Sequence, residues 1–412
     1  MAAPNIAVGG QFGSPQRVAE FPAALRIAQK EEMTPTLVVP LLNTLTGSCY
    51  TAAVLIGAGQ VPANMIVDTG SSSLVVEGKL YADTDDSDRQ VTHLAQAISY
   101  GAGWWAGSVV RTTAAIRGGS AELALRNANV AVTRQESAQG FGGADGIMGL
   151  AYRPLDTAYD LGKPTWPDLD VTNIDGAGRT QIEPYFTQLE EAGLCADVFA
   201  LLTRRSRMRM GPEPSKDPAN QGLLIMGGGE ERTDLYRGAF QNVRITHDVY
   251  FNLHVKGICV GDRPLIPISG TGPSGNSNSF LDSGLAAILM PEDLDRQLIG
   301  QFAVLNSYFS DAIATARKTG SAAVDDSVKW PDITVVVEGT TEDVALSIAP
   351  STYWQGRAAE NGESHFVIEA ADNLDQIILG LPLMNNYYCV FCRSADNGQG
   401  VIRLAPPRVT AI

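Results

Sequence analysis

Met65-Ile66-Val67-Asp68-Thr69-Gly70-Ser71 and Phe280-Leu281-Asp282-Ser283-Gly284-Leu285 carry one pattern twice. In each, apolar residues run into an aspartate, a hydroxyl residue and a glycine, and another apolar run follows. The copies lie about half the chain apart in 412 residues. A bare Asp-[Ser/Thr]-Gly arises by chance at roughly one position in two thousand, so one copy would fit an ordinary turn. In such a turn Asp accepts from nearby backbone N–H groups and Gly supplies conformational freedom. Two copies in matched contexts predict two buried strands that bring Asp68 and Asp282 face to face. Like charges in contact cannot both ionise, so the pair shares a proton. One carboxylate can then take a proton from water while the other donates to a substrate carbonyl. This chemistry hydrolyses a peptide bond with no covalent intermediate, and neither a cofactor nor a metal is expected.

Around the two turns, short β-branched runs alternate with Gly, Pro, Asn and Asp: Ala52 to Ile56, Met65 to Val67, Leu74 to Val76, Ser108 to Ile116 and Leu123 to Val132. That rhythm predicts an all-β chain. The best helical candidates are Glu183 to Ala192 and Pro291 to Phe302. A composition of 44% hydrophobic and 18% charged residues is that of a globular protein with room for two domains. A net charge of −15 argues against a nucleic-acid partner, since such proteins carry basic faces. The one basic cluster, Arg204-Arg205-Ser206-Arg207-Met208-Arg209, precedes a Gly/Pro-rich stretch and is expected to be a solvated loop rather than an interaction patch. There is no apolar run of about 18 residues to cross a membrane. Serine and zinc hydrolase signatures (G-x-S-x-G, H-E-x-x-H) are absent, and the chain has only four histidines.

Five cysteines, Cys49, Cys195, Cys259, Cys389 and Cys392, form an odd, scattered set that favours a reducing compartment. In Cys389-Val390-Phe391-Cys392 the strand period sends the two thiols to opposite faces, so they are expected to be core residues rather than a metal or redox pair. Residues 1–13 show no basic start and no apolar core of a secretory signal. A cytoplasmic location is therefore expected, or a periplasmic or secreted one if a signal preceded this numbering.

From about Pro40 to about Pro406 the chain resembles the pepsin-like aspartic proteases, as a divergent member without the usual disulfides or basic pro-segment. Ile98-Ser99-Tyr100-Gly101-Ala102-Gly103 looks like the family's flap hairpin, and Asp145-Gly146-Ile147-Met148-Gly149-Leu150 like the apolar element threading beside the first aspartate. Ile378-Leu379-Gly380 is similar to its counterpart in the second half. Trp330-Pro331-Asp332-Ile333 and Tyr387-Tyr388-Cys389-Val390-Phe391 fit the same order. The resemblance implies two pseudo-symmetric β-barrel-like lobes with a cleft between them, acting as a monomer on polypeptides with apolar residues around the cut. Asp68 and Asp282 would be catalytic. Gly70, Tyr100, Gly101, Ala102 and Gly284 would hold substrate, gripped as an added strand. Thr69 and Ser283 would lock the two loops together, with Ser71 and Leu285 supporting the dyad. The alternative reading is a catalytically weak binding or inhibitor module, although such proteins usually lose an aspartate.

The expected organisation is a leader over 1–36, with a short helix from Arg17 to Lys30, a first lobe over 37–229 and a second over 230–412. The leader's charges balance, so it would plug an acidic cleft poorly. Arg153 to Arg179 and Arg204 to Gly222 read as surface insertions. Two departures from the family concern the site. Val75 stands where most relatives have a tryptophan bonded to the flap tyrosine, so Tyr100 is expected to be held less firmly. Leu285 replaces a hydroxyl residue and offers Asp282 no donor. Trp104 and Trp105 either pack the flap on its own lobe or line a pocket beside the cut.

Overall fold

The computed structural model describes residues 36–81, 86–100, 103–270, 277–325, 327–372 and 374–408. All of the expected leader but Thr36, including the helix from Arg17 to Lys30, lies outside them. The alternating apolar runs form strands, as their pattern requires. Thr51–Ile56 and Val61–Asp68 make an antiparallel hairpin, and Gln90–Ser99, Trp104–Gly118 and Ala121–Glu136 form an antiparallel meander. Smaller sheets make up much of the second half.

Six strands join the two halves in one continuous antiparallel run: Leu37–Leu42, Gln221–Met226, Val198–Leu202, Tyr388–Cys392, Val401–Ala405 and Gln241–Arg244. Because side chains alternate across a strand, this sheet feeds apolar residues to two separate clusters. Cys389 and Phe391 enter the main core, whereas Tyr388, Val390 and Cys392 pack on the opposite face with Leu202 and Leu223. All five cysteines are free; Cys389 and Cys392 are buried, as expected for core thiols, while Cys259 is half-buried. At the centre Phe199 stacks on Phe391 at 4.7 Å and meets Phe251 edge-on at 5.7 Å. Removing one such ring would cost about 3–5 kcal/mol.

Two parallel pairings position the two Asp-Thr/Ser-Gly turns. Val61–Asp68 runs beside Gly146–Gly149, with Asp68 opposite Gly149. In the second half Ser279–Leu281 runs beside Ile377–Leu379, with Leu281 opposite Leu379. Glycine is required where the chains cross: a Cβ on Gly149 would lie 2.5 Å from the Ser72 backbone, and one on Gly380 would lie 2.2 Å from the Ala287 carbonyl.

Helices are few. Tyr185–Glu191 and Glu292–Leu305 fall where the sequence places them, the latter with Glu292, Asp293 and Asp295 in its positive first turn. A further helix, Ser307–Thr319, is capped by the Asn306 side chain and closed by Gly320 at φ +89°. Its buried face is Phe309, Ala312, Ile313 and Ala316, spaced at the helical period. Arg317 on this helix holds Asp295 on the other with two hydrogen bonds of 2.8 and 2.6 Å. Among the described residues no helix is long and apolar enough to cross a membrane.

The basic run departs from expectation. Ser206 is fully buried, and Arg204, Arg205, Arg207 and Arg209 are each part-buried rather than solvated. The run is pinned because its backbone N–H groups are satisfied by tertiary partners: Arg204 and Arg205 by the Tyr50 hydroxyl, Ser206 and Arg207 by Gln355 Oε1.

Candidate active site

Each Asp-Thr/Ser-Gly turn closes on its own glycine. Gly70 N–H donates to Asp68 Oδ1 at 2.7 Å, and Gly284 N–H donates to Asp282 Oδ1 at 2.8 Å. Each glycine also faces the opposite aspartate. A Cβ on Gly70 would meet the Asp282 carboxyl at 2.6–2.7 Å, and one on Gly284 would meet Asp68 Oδ1 at 2.6 Å. A side chain at either position would therefore push the two carboxyls apart.

Thr69 and Ser283 lock the turns reciprocally. Thr69 N–H donates to Ser283 Oγ at 3.0 Å, and Ser283 N–H donates to Thr69 Oγ1 at 2.9 Å. The hydroxyls continue across the junction, Thr69 Oγ1 to the Leu281 carbonyl at 3.1 Å and Ser283 Oγ to the Val67 carbonyl at 2.7 Å. Both hydroxyl residues are buried, so four satisfied hydrogen bonds fix the two lobes where the carboxyls meet.

The carboxyls of Asp68 and Asp282 share a side-chain hydrogen bond. Burial first, then the charge of Asp68, holds the Asp282 carboxyl well above the usual carboxylate range. Ser71 Oγ donates to Asp68 Oδ2 at 2.6 Å, as the sequence predicts. Leu285 has no side-chain donor, as expected, but its main-chain N–H, which donates to the Asp282 carbonyl at 3.4 Å, lies close enough to oppose the rise of the Asp282 carboxyl. The turn brings that N–H round regardless of the side chain at 285.

The flap is the hairpin of Gln90–Ser99 and Trp104–Gly118, with Tyr100 N–H donating to the Gly103 carbonyl at 2.6 Å. Gly101 and Ala102 lie outside the described residues. Tyr100 is not loosely held. Trp105 Nε1–H donates to the Tyr100 hydroxyl at 3.0 Å, and the indole is buried against Val75, Ala131, Phe141 and Ile147. A small residue at 75 leaves space that an indole from the flap's own second strand fills. Trp104, pointing the other way, is 44% exposed.

Three residues to which the sequence gave no part in the site also reach this region. Tyr250 stacks on Phe280 at 4.4 Å, and its hydroxyl pKa is raised first by burial and then by Asp282 and Asp68, which places it by the dyad. Cys49 donates its thiol to the Gly284 carbonyl at 2.9 Å, and burial pushes that thiol up to about 12, so it is inert as a nucleophile. Asp156, 2% exposed, receives Ser73 Oγ and Gln96 Nε2, each at 2.8 Å, which ties the flap strand to the chain beyond Ser71. Burial raises its carboxyl to about 6. None of these pairings follows from local pattern, because each partner is brought in from a distant stretch.

A two-lobed β fold with paired Asp-Thr/Ser-Gly turns locked across the junction defines an aspartic protease. The eukaryotic aspartyl protease family model matches residues 49–405. The chain belongs to this family and is an aspartic-type endopeptidase of pepsin-like fold. It is similar to the probable vacuolar protease A of Arthroderma benhamiae, 23% identical over 377 residues that cover 89% of this chain and 80% of that protein. It is also 22% identical to gastricsin of Rattus norvegicus, over 85% of this chain and 79% of that one, and 22% identical to pepsin A of Gallus gallus, over 89% and 87%.

Proposed function

We propose that Asp68 and Asp282 activate one water for attack on a peptide carbonyl, with the shared proton resting on Asp282 as general acid. The observation that carries this reading is the pair of carboxyls in mutual hydrogen bond, each fed by its own glycine N–H. Donors to Asp68 from Gly70 and Ser71 stabilise negative charge there, and burial disfavours it on Asp282. Asp68 then takes the proton from water and Asp282 gives its own to the carbonyl oxygen.

Substrate is an extended polypeptide gripped under the flap as an added strand. Tyr100, Tyr250 and Leu285, all part-exposed, support a preference for apolar side chains beside the cut. The reading takes the chain as a monomer divided near Gly229 into lobes of 37–229 and 230–412. Five free cysteines fit a reducing compartment, but relatives bear the name vacuolar protease, and nothing in the comparisons supports a cytoplasmic location. A statine-type transition-state analogue should bind and block cleavage of a denatured protein. Cleavage that persists under saturating analogue would overturn the reading.

A further inference from the structure

The strap formed by Arg204–Met210 crosses from one lobe to the other. Met208 N–H donates to the Gly47 carbonyl at 2.8 Å, in the turn that ends at Cys49. On the other side, Ser206 and Arg207 N–H groups reach Gln355 Oε1 at 3.0 and 3.2 Å, and Met210 N–H reaches the Arg357 carbonyl at 2.9 Å. Cys49 in turn contacts Gly284 of the second catalytic turn. The strap is thus two contacts from the dyad, at an edge where both lobes meet.

Its four arginines are not equally occupied. Arg205 gives its guanidinium to the carbonyls of Arg207 and Gly356 at 3.1 and 2.6 Å, and Arg209 faces Asp217 at 3.6 Å. Arg204 and Arg207 have no carboxylate partner among the described residues, and the Nε of each is buried without an acceptor. In a chain of net charge −15 this is conspicuous, because a part-buried cation without a partner is costly. Groups in electrostatic reach of Arg207 include the Cys49 thiol on the first lobe and His365 on the second, neither of which is an anion there, and the Arg205 guanidinium against the Arg207 carbonyl adds a further positive charge.

We propose that Arg207 is a subsite for an acidic side chain of the substrate, two or more residues from the scissile bond. The inference rests on the dyad reading above. An extended peptide lying along the cleft advances about 3.3 Å per residue and turns alternate side chains to one wall, so a single register should bring its carboxylate to the guanidinium. The subsite would direct this enzyme toward polypeptides with Asp or Glu to one side of an apolar cut.

The test uses the full chain and paired fluorogenic peptides that differ only by Glu or Gln, scanned from two to five residues on either side of the cut. At pH 5.5 a Glu side chain with its ordinary pKa of about 4.3 is mostly charged. The expected result is one position at which kcat/KM for Glu exceeds that for Gln by about tenfold, about 1.4 kcal/mol, carried mainly by KM. The ratio should fall toward one as the peptide is acidified below the Glu pKa. It should also fall to about one in Arg207→Ala, stay above one in Arg207→Lys, and turn to favour a Lys peptide in Arg207→Glu. No position with more than a twofold preference in the parent, or a ratio kept in Arg207→Ala, would overturn the subsite. Equal slowing of both peptides keeps the ratio and so counts as the same refutation. If Arg207→Ala does not fold, the Lys and Glu variants decide by the same ratios. Failure of the parent to cut any peptide would instead refute the dyad reading.

Discussion

On the first Asp-Thr-Gly loop Asp68 receives a side-chain hydroxyl from Ser71 as well as the Gly70 N–H, whereas on the second the Asp282 carboxyl receives the Gly284 N–H and no side-chain hydroxyl, with the Leu285 N–H nearby. The backbone plan is shared down to the reciprocal Thr69 and Ser283 bonds. The difference lies in one side chain at equivalent places. A main-chain donor survives any substitution except proline, but it cannot rotate to follow the carboxylate as a hydroxyl can. The asymmetry thus falls on the same residue that burial already biases toward protonation, and the two chemically identical groups take different roles.

Removing either carboxyl tests whether the two loops are truly one device. Asp68→Asn and Asp282→Asn should each lower kcat by at least about a thousandfold, about 4 kcal/mol in barrier, with the fold retained by circular dichroism. Activity within about tenfold of the parent in either would break the pairing.

The glycines ask whether both loops depend equally on close approach. Gly70→Ala and Gly284→Ala place a methyl about 2.6 Å from the opposing aspartate, and each should cost about a hundredfold in kcat. A much milder effect at one of them would show that its loop can yield and that the symmetry of the lock is only apparent. Kinetics on the two purified variants, with thermal melts as control, separate these outcomes.

The flap belongs to the first lobe alone, so its positioning sharpens the contrast. Trp105→Phe keeps the ring in the Val75 cluster but strands the Tyr100 hydroxyl, and should reduce kcat by about fivefold to tenfold, about 1 kcal/mol. In the double variant with Tyr100→Phe the two losses should not add. Additive losses would mean that the hydrogen bond does not position the flap.

The smallest effect concerns the asymmetry itself. Leu285→Thr supplies Asp282 with a hydroxyl donor, which favours its charged form and lowers the apparent value at which the pair loses its last proton. The basic limb of the kcat/KM profile should move toward acid by about half a pH unit, less than a first donor would give because the Leu285 N–H already contributes. An unmoved or alkaline-shifted limb would show that the side chain at 285 does not control the dyad.

Much of this molecule was determined by sequence alone. The paired Asp-Thr/Ser-Gly turns, the β rhythm, both threading glycines and the opposite faces of Cys389 and Cys392 are local facts, because strand period and glycine's freedom act within a few residues. What only the tertiary structure decided depends on where a distant chain happens to pass. Val75 implies a loose flap when read in place, yet Trp105, thirty residues on, fills the gap because the hairpin folds back over it. Leu285 offers no donor as a side chain, but the turn delivers its N–H. Arg204 to Arg209 looks like a solvated loop until Tyr50, Gly47 and Gln355 are seen to capture its backbone. A hydrogen bond between residues far apart in sequence leaves no local period to read, and only the packed chain brings the partners together.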